Sequence, residues 1–228
     1  MGDEDTIRKR HERVFYTYGR MNPPTVGHRA LIDQLISEAH NADAYVFPTS
    51  THDAPKNPLP VKRKVEILRR MFANRPVRII NTSDCRVIPE DGGPTINGEC
   101  RRPQDVVERL IQAGYEPENI TLLVGEEERV GSFSFLKSRG VTVRAVTRKR
   151  EVGGISATKV REAAQAMIEG DPTAEDRFRS GINASIPDKN LFSLAEEIVD
   201  GMWKPKAAKK RGGGRTRRSK KMRSRRRR

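Results

Sequence analysis

Short β-branched and aromatic runs alternate along this chain with stretches whose apolar residues recur at helical spacing, and that order restricts the fold most. The strand-like runs are Val14–Tyr18, Ala44–Phe47, Val77–Ile80, Ile120–Val124 and Val141–Val146. Between them Leu31, Ile32, Leu35, Ile36 and Ala39 share one helical face, as do Val61, Val65, Leu68 and Phe72, and later Val106, Val107, Leu110 and Ile111. Strands joined through helices by short connections pair in parallel with right-handed crossovers, and their sheet is covered on both faces.

The expected fold is therefore α/β and Rossmann-like, a parallel sheet with helices on both faces and ligands at the carboxyl ends of the strands. Two turns into helices stand where such ligands bind. The first, Gly19-Arg20-Met21-Asn22-Pro23-Pro24-Thr25-Val26-Gly27-His28, follows the first strand. Gly19 permits close backbone approach, the prolines stiffen the path, and Gly27 opens a helix whose free N–H groups attract anions. His28 falls in the first turn, where an imidazole donates to a phosphate oxygen that gains charge during transfer. The second turn, Gly154-Ile155-Ser156-Ala157-Thr158-Lys159-Val160-Arg161, places Ser156 as an N-cap, with Val160, Ala164, Met167 and Ile168 continuing an apolar stripe. Thr158 and the cap hydroxyl sit beside free N–H groups, and Arg161 one turn in supplies permanent positive charge.

The strand, Gly-x-x-Asn-Pro turn and x-x-Gly-His of the first segment resemble the signature of the nucleotidylyltransferase superfamily. Thr25 stands where many members carry a histidine. The Ile-Ser-Ala-Thr-x-x-Arg of the second resembles the family's closing motif, with Ala157 at a position that is often serine. The resemblance implies transfer of a nucleotidyl group from a triphosphate, ATP foremost, to a phosphorylated acceptor, with Mg²⁺ carried by the nucleotide. It implies catalytic roles for His28, Thr158 and Arg161, and a nucleotide site made of Gly19, Arg20, Met21, Asn22, Thr25, Gly27, His28, Gly125, Ile155, Ser156, Thr158 and Arg161. Lys56 and Lys64 fall where the family holds its acceptor. Gly125, followed by three glutamates, resembles the family's Gly-x-Asp segment, and which glutamate matters is open. The opening and closing motifs look most like nicotinamide-nucleotide adenylyltransferases and related phage and large-DNA-virus proteins, as does Gly181–Pro187. A cytidylyl or pantetheine-phosphate acceptor stays open. So does an inactive nucleotide-binding fold that acts through its tail.

Charge separates the core from the end of the chain. The net charge is +15, and residues 204–228 hold 15 Lys or Arg and no acid, so residues 1–203 carry 30 charges of each sign. A glycine-interrupted basic stretch without an apolar pattern does not repay the entropy of folding. It reads as a disordered tail that holds nucleic acid or another polyanion without sequence preference, or as a nuclear targeting signal. The expected organisation is a charged, loose extension over 1–12, the Rossmann-like domain over 13–170, a packed helical extension over 171–203 and the tail over 204–228. Leu191, Leu194, Ala195, Ile198 and Met202 mark a helix in that extension. Gly-x-x-x-x-Gly-Lys-(Ser/Thr), Gly-x-Gly-x-x-Gly and His-Glu-x-x-His patterns are missing, which argues against P-loop, dinucleotide and zinc-protease readings. Cys85 and Cys100 lack metal spacing, so reduced thiols in an intracellular protein are expected, nuclear or virion-associated locations included. No apolar run has the length of a membrane span.

Overall fold

The computed structural model describes residues 6–8, 10–88, 95–146, 155–182 and 190–203. Gly154, most of the Gly181–Pro187 run and the tail 204–228 lie outside the described residues. In chain order the elements begin with β1 (Thr6–Ile7), β2 (Val14–Gly19), α1 (Val26–Ala39), β3 (Asp43–Pro48), α2 (Val61–Met71), β4 (Arg78–Ile79) and β5 (Arg86–Val87). They continue with α3 (Pro103–Gln112), β6 (Ile120–Val124), α4 (Ser134–Lys137), β7 (Thr142–Ala145), α5 (Ala157–Ile168), α6 (Ala174–Ile182) and α7 (Leu191–Trp203).

The main sheet has the order β4-β3-β2-β6-β7, and every pair in it is parallel. Strand burial on both faces explains why the runs are apolar throughout. Val14, Tyr16, Tyr45, Phe47, Ile120, Leu122 and Val124 point to one face, where they pack with Val106, Val107 and Leu110 of α3. Phe15, Ala44, Val46, Ile79 and Leu123 alternate onto the other, against α1, α2, α5, α6 and α7. This is the Rossmann-like α/β architecture that the strand–helix alternation predicts. Its winding reverses between β2 and β6, so the crevice at their carboxyl ends is the topological switch point.

The strand pairing itself opens that crevice. β2 pairs with β3 along its whole length, from Val14–Asp43 to Gly19–Pro48, but with β6 only from Val14–Ile120 to Tyr16–Leu122. Beyond Tyr16 and Leu122 the two strands run on without pairing.

The beginning of the described chain departs from the loose extension expected over 1–12. Thr6–Ile7 pairs in parallel with Arg86–Val87, and Ile7 is fully buried. The Asp43 carboxylate accepts the Arg10 and His11 N–H groups at 3.1 Å each and the Tyr115 hydroxyl at 2.6 Å. One buried isoleucine and one buried carboxylate thus fix a segment whose charged composition suggested a free end. Cys85 and Cys100 are both buried free thiols.

Candidate functional site

A cavity of about 750 Å³ occupies the splay between β2 and β6. Its walls are the ends of those strands, the loop from Gly19 into α1, the loop after β3, the start of α5 and Met202 of α7. Thr25 caps α1 with extended backbone, and the helix begins as Arg29 N–H donates to the Thr25 carbonyl at 2.9 Å. His28 folds back on this cap. The Thr25 N–H donates to His28 Nδ1 at 3.1 Å, and the Thr25 hydroxyl lies 2.9 Å from the same nitrogen. A nitrogen that accepts the backbone proton carries none itself, so the neutral imidazole holds its proton on Nε2. Thr25 therefore orients His28.

Across the cavity Ser156 caps α5, its hydroxyl accepting the Lys159 N–H at 3.3 Å. Arg161 joins the two motifs. Its Nη1 donates to the Asn22 carbonyl at 2.8 Å and its Nη2 to the Thr158 hydroxyl at 3.1 Å. Burial, and then the like charge of Arg20, pull the Arg161 guanidinium down from its ordinary value. An anion between the two arginines relieves that repulsion. Around the cavity Arg20, Lys56, Arg129 and Arg161 outnumber Glu126 and Glu162, so the site carries net positive charge within a core whose charges balance.

Every motif residue that the sequence singled out lines this cavity: Gly19, Arg20, Met21, Asn22, Thr25, Gly27, His28, Gly125, Ile155, Ser156, Thr158 and Arg161, with Lys56 on the loop after β3. Three details go beyond the motif pattern. Asn22 is 2% exposed and its amide pairs reciprocally with Leu59, donating to the Leu59 carbonyl and accepting the Leu59 N–H at 2.9 Å each. It clamps two loops together. At Gly19 a Cβ would meet Met21 at no less than 3.7 Å, so internal packing does not demand glycine there. The strained residue is Met21, held at a φ of 44° by burial, a conformation that costs about 1–2 kcal/mol for a residue with a Cβ.

Lys64 is the clear correction. Expected from the sequence among the acceptor-binding residues, it is fully buried and is not among the residues that line the cavity. Its ammonium donates instead to the carbonyls of Arg20, Thr49 and Thr51. Of the three glutamates after Gly125 it is Glu126 that lines the cavity, and the lining also includes Arg129, Phe133, Glu162 and Met202, for which no site role was expected. Glu162 follows Arg161 on α5 and was within reach of a helical reading. The others arrive through the way the chain crosses over.

Among the described residues no group of three or more His, Cys, Asp or Glu side chains converges as a metal site. Glu126 follows β6 and Glu162 lies on α5, so the two carboxylates of the lining come from separate elements.

Fold and crevice together define a Rossmann-like α/β domain with an anion-attracting cavity at its switch point. No family model and no curated protein sequence matches the chain. Among solved structures it is similar to a bifunctional NMN adenylyltransferase/ADP ribose pyrophosphatase from Francisella tularensis, at 14% identity and a TM-score of 0.54. That match covers 84% of this chain and 53% of the other, so the chain spans about half of that protein's length. It is also similar to the Plasmodium falciparum nicotinic acid mononucleotide adenylyltransferase complexed with APC, at 10% identity and a TM-score of 0.51, over 82% of this chain and 96% of that one. At such identities the likeness establishes the fold.

Proposed function

We propose that this chain is a nucleotidylyltransferase that moves AMP from ATP to a phosphomonoester such as nicotinamide mononucleotide and releases pyrophosphate. The observation that carries this reading is the convergence of two helix N-termini on one cavity, one bearing His28 and the other Ser156, Thr158 and Arg161. Both structural relatives have adenylyltransferase in their names, and their fold is this one.

In the reaction a phosphate oxygen of the acceptor attacks the α-phosphorus in line. The new P–O bond forms as the bond to the bridging α,β-oxygen breaks, and pyrophosphate leaves with that electron pair. The chain supplies no nucleophile. It aligns the two phosphates and stabilises charge on the equatorial and leaving oxygens. His28 donates from Nε2 because Thr25 holds Nδ1, while Arg161 and the α5 N-terminus face it across the cavity. A Mg²⁺ ion carried by the triphosphate neutralises part of its charge.

Pyrophosphate release from each nucleoside triphosphate, measured against a panel of phosphorylated acceptors, tests the proposal. Turnover with ATP and nicotinamide mononucleotide is the expected result, and a fall of about 10²–10³ in kcat for His28→Ala matches removal of a donor to a developing oxyanion. Turnover with CTP instead transfers the reading to a cytidylyl enzyme. Failure of every acceptor to give turnover, together with DNA binding by the whole chain, overturns it in favour of a binding protein.

The tail carries a separable role in this reading. Its 15 cations and absence of acids support retention on a polyanion through counterion release.

A further inference from the structure

Lys64 is a buried ammonium without a carboxylate. It sits on α2 with no exposed surface, and its partners among the described residues are uncharged carbonyl oxygens. A charge moved out of water costs several kcal/mol unless dipoles replace the solvent, so an ammonium in such a place needs a reason. A leucine or methionine would fill the same space at no such cost.

The three carbonyls indicate the reason. Arg20 belongs to the loop that leads from β2 into α1, whereas Thr49 and Thr51 begin the loop that follows β3. At its far end this second loop is fastened to the first again, by the reciprocal Asn22–Leu59 pair. Between the two staples it is closed on itself, through Asn57 N–H to the Asp53 carbonyl at 2.8 Å and His52 Nε2 at 3.0 Å from the Pro58 carbonyl. Lys56 and Asn57, which line the cavity, ride on this closed segment. Their distance from the α1 N-terminus is therefore set by three fastenings: Thr49 N–H to the Gly19 carbonyl at 2.8 Å at the end of the β2–β3 pairing, the Lys64 ammonium just beyond it, and the Asn22–Leu59 pair.

We infer that Lys64 is a positioning residue: its buried ammonium holds the loop over 19–25 and the loop over 49–60 in register, and so places Lys56 and Asn57 opposite the phosphate-binding helix start. The substrate side of this inference rests on the proposed nucleotidyl transfer. Its structural side does not. Lys64 touches no ligand; it fixes the gap that an acceptor phosphate must fit. A small shift there is expensive, because misplacement by 1 Å costs about 100-fold in rate.

Two variants test it. Lys64→Met keeps length and removes charge, and Lys64→Arg keeps charge and donors. Amide hydrogen exchange is read in the segments 19–25 and 49–60, with α3 on the far side of the sheet as the reference for global stability. In Lys64→Met both loops exchange at least tenfold faster while α3 is unchanged, and Lys64→Arg recovers most of the protection. On the reading above, Lys64→Met also raises the KM for nicotinamide mononucleotide more than the KM for ATP. Acceleration spread evenly over loops and α3, or none in the loops, overturns the inference. Wild type without turnover on any acceptor overturns the enzymatic reading and leaves the exchange result to decide this one.

If neither variant folds, pH performs the experiment on the wild-type chain. Burial pushes the Lys64 ammonium down to about 8 from its ordinary 10.5. The other titratable or charged groups on the two loops are Arg20, His52, Asp53 and Lys56, and on α2 Arg63 is taken by Glu66 and Glu197. Between pH 8 and 10.5 the unfolded chain binds more protons at this site than the folded one, so the Lys64 contribution to global stability rises with pH. Local opening that exposes Lys64 to water obeys the same linkage, so loop exchange that slows relative to its intrinsic pH dependence from pH 7 to 9.5 supports the inference. Loop exchange that keeps its intrinsic pH dependence throughout overturns it.

Discussion

At the scale of single residues, the site is assembled by groups that bind other protein groups. Thr25 fixes which nitrogen of His28 is the donor, and the Asn22 amide pairs reciprocally with the Leu59 backbone. Removal of the Asn22 side chain leaves the buried N–H and carbonyl of Leu59 without partners. Asn22→Ala is therefore expected to lower stability by about 2–4 kcal/mol, at about 1–3 kcal/mol for each unsatisfied buried group relieved in part by water. Denaturant unfolding measures that loss. A conservative Asn22→Asp is not neutral either, since a carboxylate has no donor for the Leu59 carbonyl. The motif residues were legible because their types carry chemistry at fixed local spacing. Lys64 was misread because charge on an amphipathic helix ordinarily faces water, and only the fold shows three carbonyls waiting for it.

At the scale of elements, α7 acts as a brace for the loop after β3. A Cβ on Gly201 would fall 2.3 Å from the Pro58 carbonyl oxygen, a backbone atom that cannot turn away, and the neighbouring Met202 reaches the cavity. Gly201→Ala is expected to cost about 1–3 kcal/mol through overpacking, offset in part by the better helix propensity of alanine. Displacement of Pro58 also moves Lys56 and Asn57, so the acceptor KM should rise more than the ATP KM. Steady-state kinetics beside a thermal melt separates the two effects. The five strands of the sheet were readable from their β-branched runs, and most helices from apolar period. α6 was not, because its buried positions Ala174, Phe178, Gly181 and Ile182 include only two large apolar side chains. Gly181 is there for contact: a Cβ would lie 2.6 Å from Val160. The paired strands β1 and β5 have two residues each, too few to show any period.

At the scale of the whole molecule, charge is partitioned. Residues 1–203 balance 30 positive against 30 negative groups, while the last 25 residues hold the entire excess. The cavity's local surplus of cations therefore arises from placement rather than from composition. A chain ending at Trp203 is expected to keep kcat and KM within about twofold and to lose affinity for duplex DNA. For the full chain the logarithm of that affinity should fall against the logarithm of salt with a slope of about −0.9 per phosphate neutralised. Binding titrations at several salt concentrations check both points.

The hydrogen bond from Arg161 to the Asn22 carbonyl joins positions 139 residues apart. Contacts of such separation close late, after the entropy of a long loop has been met, and on a ribosome the earlier partner emerges well before the later one. A nascent chain that has completed β2, α1 and β3 holds the Gly-His turn without its second wall. If the proposed function holds, nucleotide has little to grip until α5 is made and docked, and ligand affinity becomes a report on completed folding. Because a ligand that binds only the native state stabilises it by mass action, ATP should protect finished molecules and leave truncated synthesis products to proteolysis.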